Sequence, residues 1–450
     1  MYLVSLIVLL SEYSKRLRTG VSLVAKNTQK MLRNKVMYSI YVRNHSEEGT
    51  FHAVEQDLDR IKNLGVDVIW FMPIHPIGEK ARKGKLGSPY ANKHYREINP
   101  EYGTMEDFKQ LVSAIHKKGM KCIIDVVYNH TSPDSWLVDN HPEYFFKKPD
   151  GSMGNRVGDW SDIVDLDYNQ PELWDYQIES LKMWAEIVDG FRCDVAPLVP
   201  LDFWLRAREE VGKVNPDCLW LSESVEPEFI LYLRSQGMVS LSDSEIYQAF
   251  DVSYDYDIHN DFKGYLTGVN KLSYYANKVN MQEYIYPENY VKLRYLENHD
   301  QPRAKELIPN DNDLLNWTAF LYFQKGMTMI YAGQETEHDV RPDLFNKDTV
   351  NWNTGKDISS FLSALYPIKK KEIVANGSYL LRAIDEEDIL VGEYTWGDQK
   401  LVSVFSMKGK SAQVEVNLPD NAYKNLIDGT EVIVKDGKLL SVSKPIIIEF

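Results

Sequence analysis

Four short segments of this 450-residue chain carry residue types that can do acid–base and nucleophilic chemistry. Asp125-Val126-Val127-Tyr128-Asn129-His130 ends an apolar run. Gly190-Phe191-Arg192-Cys193-Asp194-Val195-Ala196-Pro197 reads as a short strand, with glycine before it and proline after it. Leu219-Trp220-Leu221-Ser222-Glu223 ends on a glutamate, and Val291 to Leu296 leads into Glu297-Asn298-His299-Asp300. Side chains two apart on a strand share a face, so Arg192 and Asp194 point one way and Phe191, Cys193 and Val195 the other. Alone, that pair fits a structural ion pair as well as a site, since charge on an apolar strand must be paired or used. Carboxylates with two histidines and an arginine, without cysteine ligands or a phosphate-cradling glycine loop, suit glycoside chemistry. One carboxylate attacks or stabilises an oxocarbenium-like centre and another carries a proton. Arg192 is expected to hold Asp194 ionised, as a nucleophile requires. Glu223, on another strand among like charges, is expected to have a raised pKa and to start as the acid. Metal-assisted hydrolysis is the competing chemistry, but His130 and His299 come from distant segments and lack tight ligand spacing.

Something must bring these four segments to one rim. From about Met37 the chain alternates short apolar runs with longer amphipathic segments. Strands are predicted at Met37–Val42, Val66–Phe71, Met120–Tyr128, at Phe191, at Leu219–Glu223, Val291–Leu296 and Met327–Tyr331. A further one is placed only loosely within Val239–Phe250. Helices are predicted over Phe51–Leu64, Asp107–Lys118, Pro171–Val188 and Asp202–Val211, with Gly65 and Gly119 as stops. Eight strand–helix units argue for a parallel (β/α)8 TIM barrel, whose active site lies where strands hand over to the loops that follow them. Residues 131–170 have little periodicity and are too long for an ordinary loop, so they read as a small inserted domain after strand 3. After about Pro367 short alternating runs replace the pattern, predicting an antiparallel β-sandwich. The expected division is a leader or extra helix at 1–30, barrel at 31–130 and 171–366, insert at 131–170 and sandwich at 367–450.

Composition limits the partners. Apolar residues make up 44% of the chain, enough for a large core, and the formal charge is −15. That acidic balance disfavours nucleic acid and anionic membrane and is compatible with a neutral ligand. Cys122, Cys193 and Cys218 lie in apolar, strand-like runs and read as buried free thiols, which gives no support for an oxidising compartment. Tyr2–Leu10 is apolar, but it is too short to span a bilayer and only Met1 precedes it, unlike a secretory signal. A cytoplasmic location is expected, with secretion as the runner-up; oligomeric state is not legible.

The four segments resemble, in order, the four conserved regions of the α-amylase family, glycoside hydrolase family 13. Ile163-Val164-Asp165-Leu166-Asp167 resembles the additional motif of that family's inserted domain. Ser88-Pro89-Tyr90-Ala91-Asn92-Lys93-His94-Tyr95 and Ile330-Tyr331-Ala332-Gly333-Gln334-Glu335 are also typical of it. The resemblance implies Asp194 as nucleophile, Glu223 as general acid/base and Asp300 as transition-state stabiliser. It implies Arg192 as the residue orienting Asp194, and His130, His299 and Tyr90 as binders of the sugar being cleaved, with Asp125 in support. It further implies a retaining hydrolase of α-1,4-glucans or malto-oligosaccharides that needs no cofactor for its chemistry. The same site would also serve an α-glucosidase, a cyclodextrin-degrading enzyme or a glucosyltransferase. A catalytically silent binding protein is the alternative of another class, disfavoured by the intact carboxylates. Asn129 matches a position that binds calcium in many members, and a structural calcium there stands open against a loop-capping hydrogen bond. Two departures are visible: Pro197-Leu198 replaces a frequent Lys-His, and Val225 stands where many amylases have tryptophan.

Overall fold

The computed structural model describes residues 27–157 and 160–450. The leader predicted for 1–30 lies outside the described residues up to position 26; Lys30–Asn34 forms a single 3-10 turn. Eight parallel strands close a barrel in strict chain order: β1 (Val36–Ile40), β2 (Val68–Phe71), β3 (Lys121–Val126), β4 (Gly190–Cys193), β5 (Leu219–Ser222), β6 (Val252–Tyr254), β7 (Lys292–Arg294) and β8 (Met327–Tyr331). β8 returns to β1 with Val36 opposite Thr328.

Local chemistry explains the helices that brace it. Helix α1 (Met105–Lys117) starts on a capping box in which Thr104 and Asp107 satisfy each other's backbone. Helix α2 (Pro171–Ala185) has proline in its first turn and buries Leu173, Ile178, Leu181 and Trp184 against the barrel. Helix α3 (Leu201–Gly212) follows β4, and helix α4 (Pro227–Ser235) follows β5.

Several expected boundaries shift. The sixth strand lies at Val252–Tyr254, beyond the Val239–Phe250 window, because a three-residue strand carries too little periodicity to locate. The helix expected over Phe51–Leu64 is two pieces, Phe51–Gln56 and Leu58–Asn63. Asp57 sits at the joint, bonded to Arg60 and to His45. The described part of segment 131–170 forms the insert, with a short helix, Trp136–Asn140, and a two-residue ladder between His130–Thr131 and Val164–Asp165. Among the described residues no helix is long and apolar enough to cross a membrane. All three cysteines are free and buried.

The C-terminal region is antiparallel throughout. Strands β9 (Ser378–Ile384), β10 (Ile389–Trp396) and β11 (Gln399–Ser406) make a sheet with the last strand, Ile446–Glu449. Two short antiparallel pairs, Ala412–Glu415 with Lys438–Ser441 and Asn421–Lys424 with Glu431–Val434, pack on its outer face. The alternation along β10 and β11 splits the side chains between two cores. Leu390, Tyr394, Leu401 and Phe405 face the barrel, whereas Ile389, Val391, Val402 and Val404 face the covering strands. The helix Ser359–Lys369 runs through Pro367 and a short helix, Glu372–Asn376, follows, so the sheet begins only at Ser378, past the composition change near Pro367.

Candidate active site

The ends of β3, β4, β5 and β7 deliver their polar residues to one mouth of the barrel. Gly190 at the start of β4 lets the strand lie close to its neighbour, since a Cβ there would sit 2.3 Å from the Leu219 carbonyl oxygen. Arg192 is fully buried and is the hub. Its Nη1 donates to Asp125 Oδ1 at 2.9 Å and to Asp194 Oδ1 at 2.9 Å. Its Nη2 lies 2.7 Å from Glu223 Oε1, an ion pair off the hydrogen-bonding line. The guanidinium carbon also sits 5.2 Å from the Trp70 ring centre and 5.4 Å from that of Tyr254, which hold it in place.

The chain turns sharply after Asp194. Val195 has φ 35° and ψ 44°, left-handed geometry that a β-branched residue rarely adopts. This turn aims the Val195 N–H at Glu223 Oε2, 2.7 Å away. The backbone directly after Asp194 is thus tied to the Glu223 carboxylate.

The second group is Tyr90, His299 and Asp300. The Tyr90 hydroxyl donates to Asp125 Oδ2 (3.0 Å) and lies 2.8 Å from His299 Nε2. The two rings are stacked, 15° apart in plane with centroids 5.3 Å apart. His299 Nε2 is 3.0 Å from Asp300 Oδ2.

Electrostatics separate the carboxylates. Burial pushes Glu223 up to about 8, Arg192 opposes this, and the charges of Asp194 and Asp300 add to it. Burial also raises Asp194 and Asp125, each to about 6, against the pull of Arg192. Arg192 pulls Asp194 toward the ionised form, as expected, but one guanidinium is shared among three buried carboxylates, so burial still leaves Asp194 above its ordinary value. Asp300 differs. Burial works to raise it, but the charge and hydrogen bond of His299 outweigh that and hold it below its ordinary value. Burial lowers His130, keeping that imidazole neutral.

Tyr90, His130, Asp194, Glu223, His299 and Asp300 line one cavity of about 380 Å³. Asp125 and Arg192 lie beneath it. The sequence reading missed Trp160, Phe229, Tyr256, Gln301, Leu344 and Phe345 on its walls. It also missed Lys83, whose ammonium pairs with Asp162 of the insert at 3.0 Å. Tyr256 and Gln301 follow β6 and the Asp300 segment directly, whereas Trp160, Phe229, Leu344, Phe345 and Lys83 lie farther from the strand ends, where only contact across the mouth singles them out.

Asn129 lies off this cavity. Its Nδ2 is 3.2 Å from His130 Nδ1. On the adjoining ladder, Asp165 Oδ2 accepts from the Arg156 backbone N–H at 2.7 Å, and Arg156 Nη1 is 3.5 Å from the same oxygen. Calcium takes six to eight oxygen ligands. A guanidinium already neutralises the carboxylate here, and no group of three or more His, Cys, Asp or Glu side chains gathers among the described residues. The side chains described around Asn129 therefore do not fit a calcium cage.

The comparisons agree with this geometry. The family profile described as "Alpha amylase, catalytic domain" matches residues 38–155 and 156–372. "Bacterial Alpha amylase C-terminal domain" matches 380–448. The structure is similar to the crystal structure of an α-amylase from Lactobacillus plantarum, with TM-score 0.92 and 47% identity over 94% of this chain and 100% of that one. It is also similar to a noncanonic maltogenic α-amylase from Thermotoga neapolitana, with TM-score 0.82 and 34% identity over 93% and 99% of the two chains. An α-1,4-glucan:maltose-1-phosphate maltosyltransferase of Myxococcus xanthus is 32% identical over 256 residues, 51% of this chain. The chain spans only 36% of that protein's length. By the catalytic profile, the solved relatives and the strand-end carboxylates alike, this chain belongs to the α-amylase family of glycoside hydrolases.

Proposed function

We propose that the protein cleaves α-1,4-glucosidic bonds of starch-type glucans or malto-oligosaccharides with retention at the anomeric carbon. The observation that carries this reading is the shared hub: Asp194 and Glu223 both stand on Arg192, with Glu223 the more readily protonated of the two. In the first step Glu223 gives its proton to the glycosidic oxygen while Asp194 attacks the anomeric carbon. The glycosidic C–O bond breaks, the leaving sugar departs with the proton, and a covalent glycosyl–aspartate remains. In the second step Glu223, now an anion, takes a proton from water as the water oxygen displaces Asp194. Asp300, held anionic by His299, accepts hydroxyls of the bound sugar and offsets positive charge at the transition state. Tyr90, packed on His299, supplies a flat wall for that sugar, and His130 and His299 hold its hydroxyls. Asp125 and Arg192 position the pair without touching substrate.

Replacing Asp194 by asparagine is expected to lower kcat on maltoheptaose by several orders of magnitude while binding persists. Steady-state kinetics with calorimetric binding check this, and near wild-type turnover in that variant refutes the assignment. Transfer to a second sugar in place of water is the second reading. The maltosyltransferase relative supports it, and products longer than the substrate would reveal it.

A further inference from the structure

The walls of the cavity come from loops on opposite sides of the barrel. In the closed strand order β5 stands diametrically across from β1, and β2 and β8 flank β1. The loops after β2 and β8 are knitted together: Leu86 N–H donates to the Phe345 carbonyl at 3.0 Å, and Lys85 N–H to Asn346 Oδ1 at 3.0 Å. They place Lys83, Leu344 and Phe345 on one wall of the cavity. Glu226 and Phe229, which follow β5, line the other. Glu223 also follows β5, so a leaving group protonated by Glu223 departs toward α4. On α4, Phe229 and Tyr232 are three residues apart and share a face. Their rings are 16° from parallel with centroids 6.3 Å apart, and Tyr232 is 53% exposed. The helix is anchored by Leu233, its buried residue, whereas Phe229 and Tyr232 join neither apolar core. The pair is thus a flat apolar strip that leads from the cavity to solvent and is not needed to pack the fold.

We propose that Phe229 and Tyr232 bind the glucosyl units of the leaving group and, after the covalent step, an incoming sugar acceptor. A pyranose ring has an apolar C–H face that packs on an aromatic ring, whereas water gains nothing from such a strip. Val225 between Glu223 and α4 is buried, so on the segment after β5 Phe229 and Tyr232 are the aromatic groups turned toward solvent. The inference rests on the carboxylate roles proposed above.

The test compares kcat/KM on maltoheptaose, whose leaving group is a chain of sugars, with α-maltosyl fluoride, whose leaving group is fluoride. In Phe229→Ala and Tyr232→Ala the ratio of the two is expected to fall about tenfold, with fewer products longer than the substrate; Tyr232→Phe restores it. A ratio within about threefold of wild type in both alanine variants overturns the strip while leaving the carboxylate roles standing. Failure of the wild-type protein to turn over either compound overturns the carboxylate reading and the strip with it.

Discussion

Arg192 is one cation facing three buried carboxylates, Asp125, Asp194 and Glu223, at 2.9, 2.9 and 2.7 Å. Burial penalises every charge in that group, so near neutral pH the cluster retains a proton, and Glu223 is where it rests. The sign of the pH dependence follows. In the proposed roles Asp194 must be ionised, so kcat/KM is expected to fall as pH drops through about 6. Glu223 must be protonated, so it falls again as pH rises through about 8. A bell with those limbs is the expected profile. In Glu223→Gln the basic limb should disappear on a substrate with a leaving group good enough to need no acid, which a pH series on maltosyl fluoride measures. Asp194 and Glu223 were legible because each closes a short apolar strand, and Asp300 because it closes a polar cluster after one. Their protonation was not, because it depends on Asp125 and on the depth of burial, neither of which spacing reveals.

Among the elements, β4 has the least room. A Cβ at Gly190 would collide with the Leu219 backbone at 2.3 Å, and backbone cannot swing aside as a side chain can. Gly190→Ala is expected to destabilise the protein by about 1–3 kcal/mol. It should also lower kcat, because Asp194 rides on the displaced strand; chemical denaturation and kinetics on the same sample check both. The insert has a different vulnerability. Arg156 ties its end to Asp165 beside His130, so Arg156→Ala is expected to lower Tm by a few degrees. Excess chelator is expected to shift wild-type Tm by less than about 1 °C, because the described side chains around Asn129 do not make a calcium cage; scanning fluorimetry reads both. Element legibility tracked length. β8 was placed residue for residue, since Met327–Tyr331 is five buried residues in a row, while β6 at Val252–Tyr254 is too short to show a period.

At the scale of the whole molecule the barrel and the C-terminal sheet share one core. Tyr394 donates its hydroxyl to the Phe323 carbonyl at 2.9 Å, and the Phe323 ring lies 5.7 Å from that of Phe405 and 5.1 Å from that of Tyr394. Asn316 reaches across twice, donating to the Ser443 carbonyl and accepting from the Ser406 N–H. A chain ending near Gly377 would expose this face, so it is expected to be insoluble, and the intact protein to unfold in a single calorimetric transition. Separate transitions for barrel and sheet would contradict that. The alternation in β10 and β11 announced a sheet; that both its faces are buried was not legible, because each face uses the same apolar residue types.

Val195 carries a consequence for any attempt to evolve this protein in the laboratory. Holding a β-branched residue left-handed costs about 1–3 kcal/mol. Selection for heat resistance alone is therefore expected to favour glycine at this position, which tolerates the turn without strain. The survivors should be hardier and slower, since the N–H now fixed on Glu223 would be free to wander. Heat tolerance and turnover are coupled here through one peptide unit, and a screen for both together should leave Val195 unchanged.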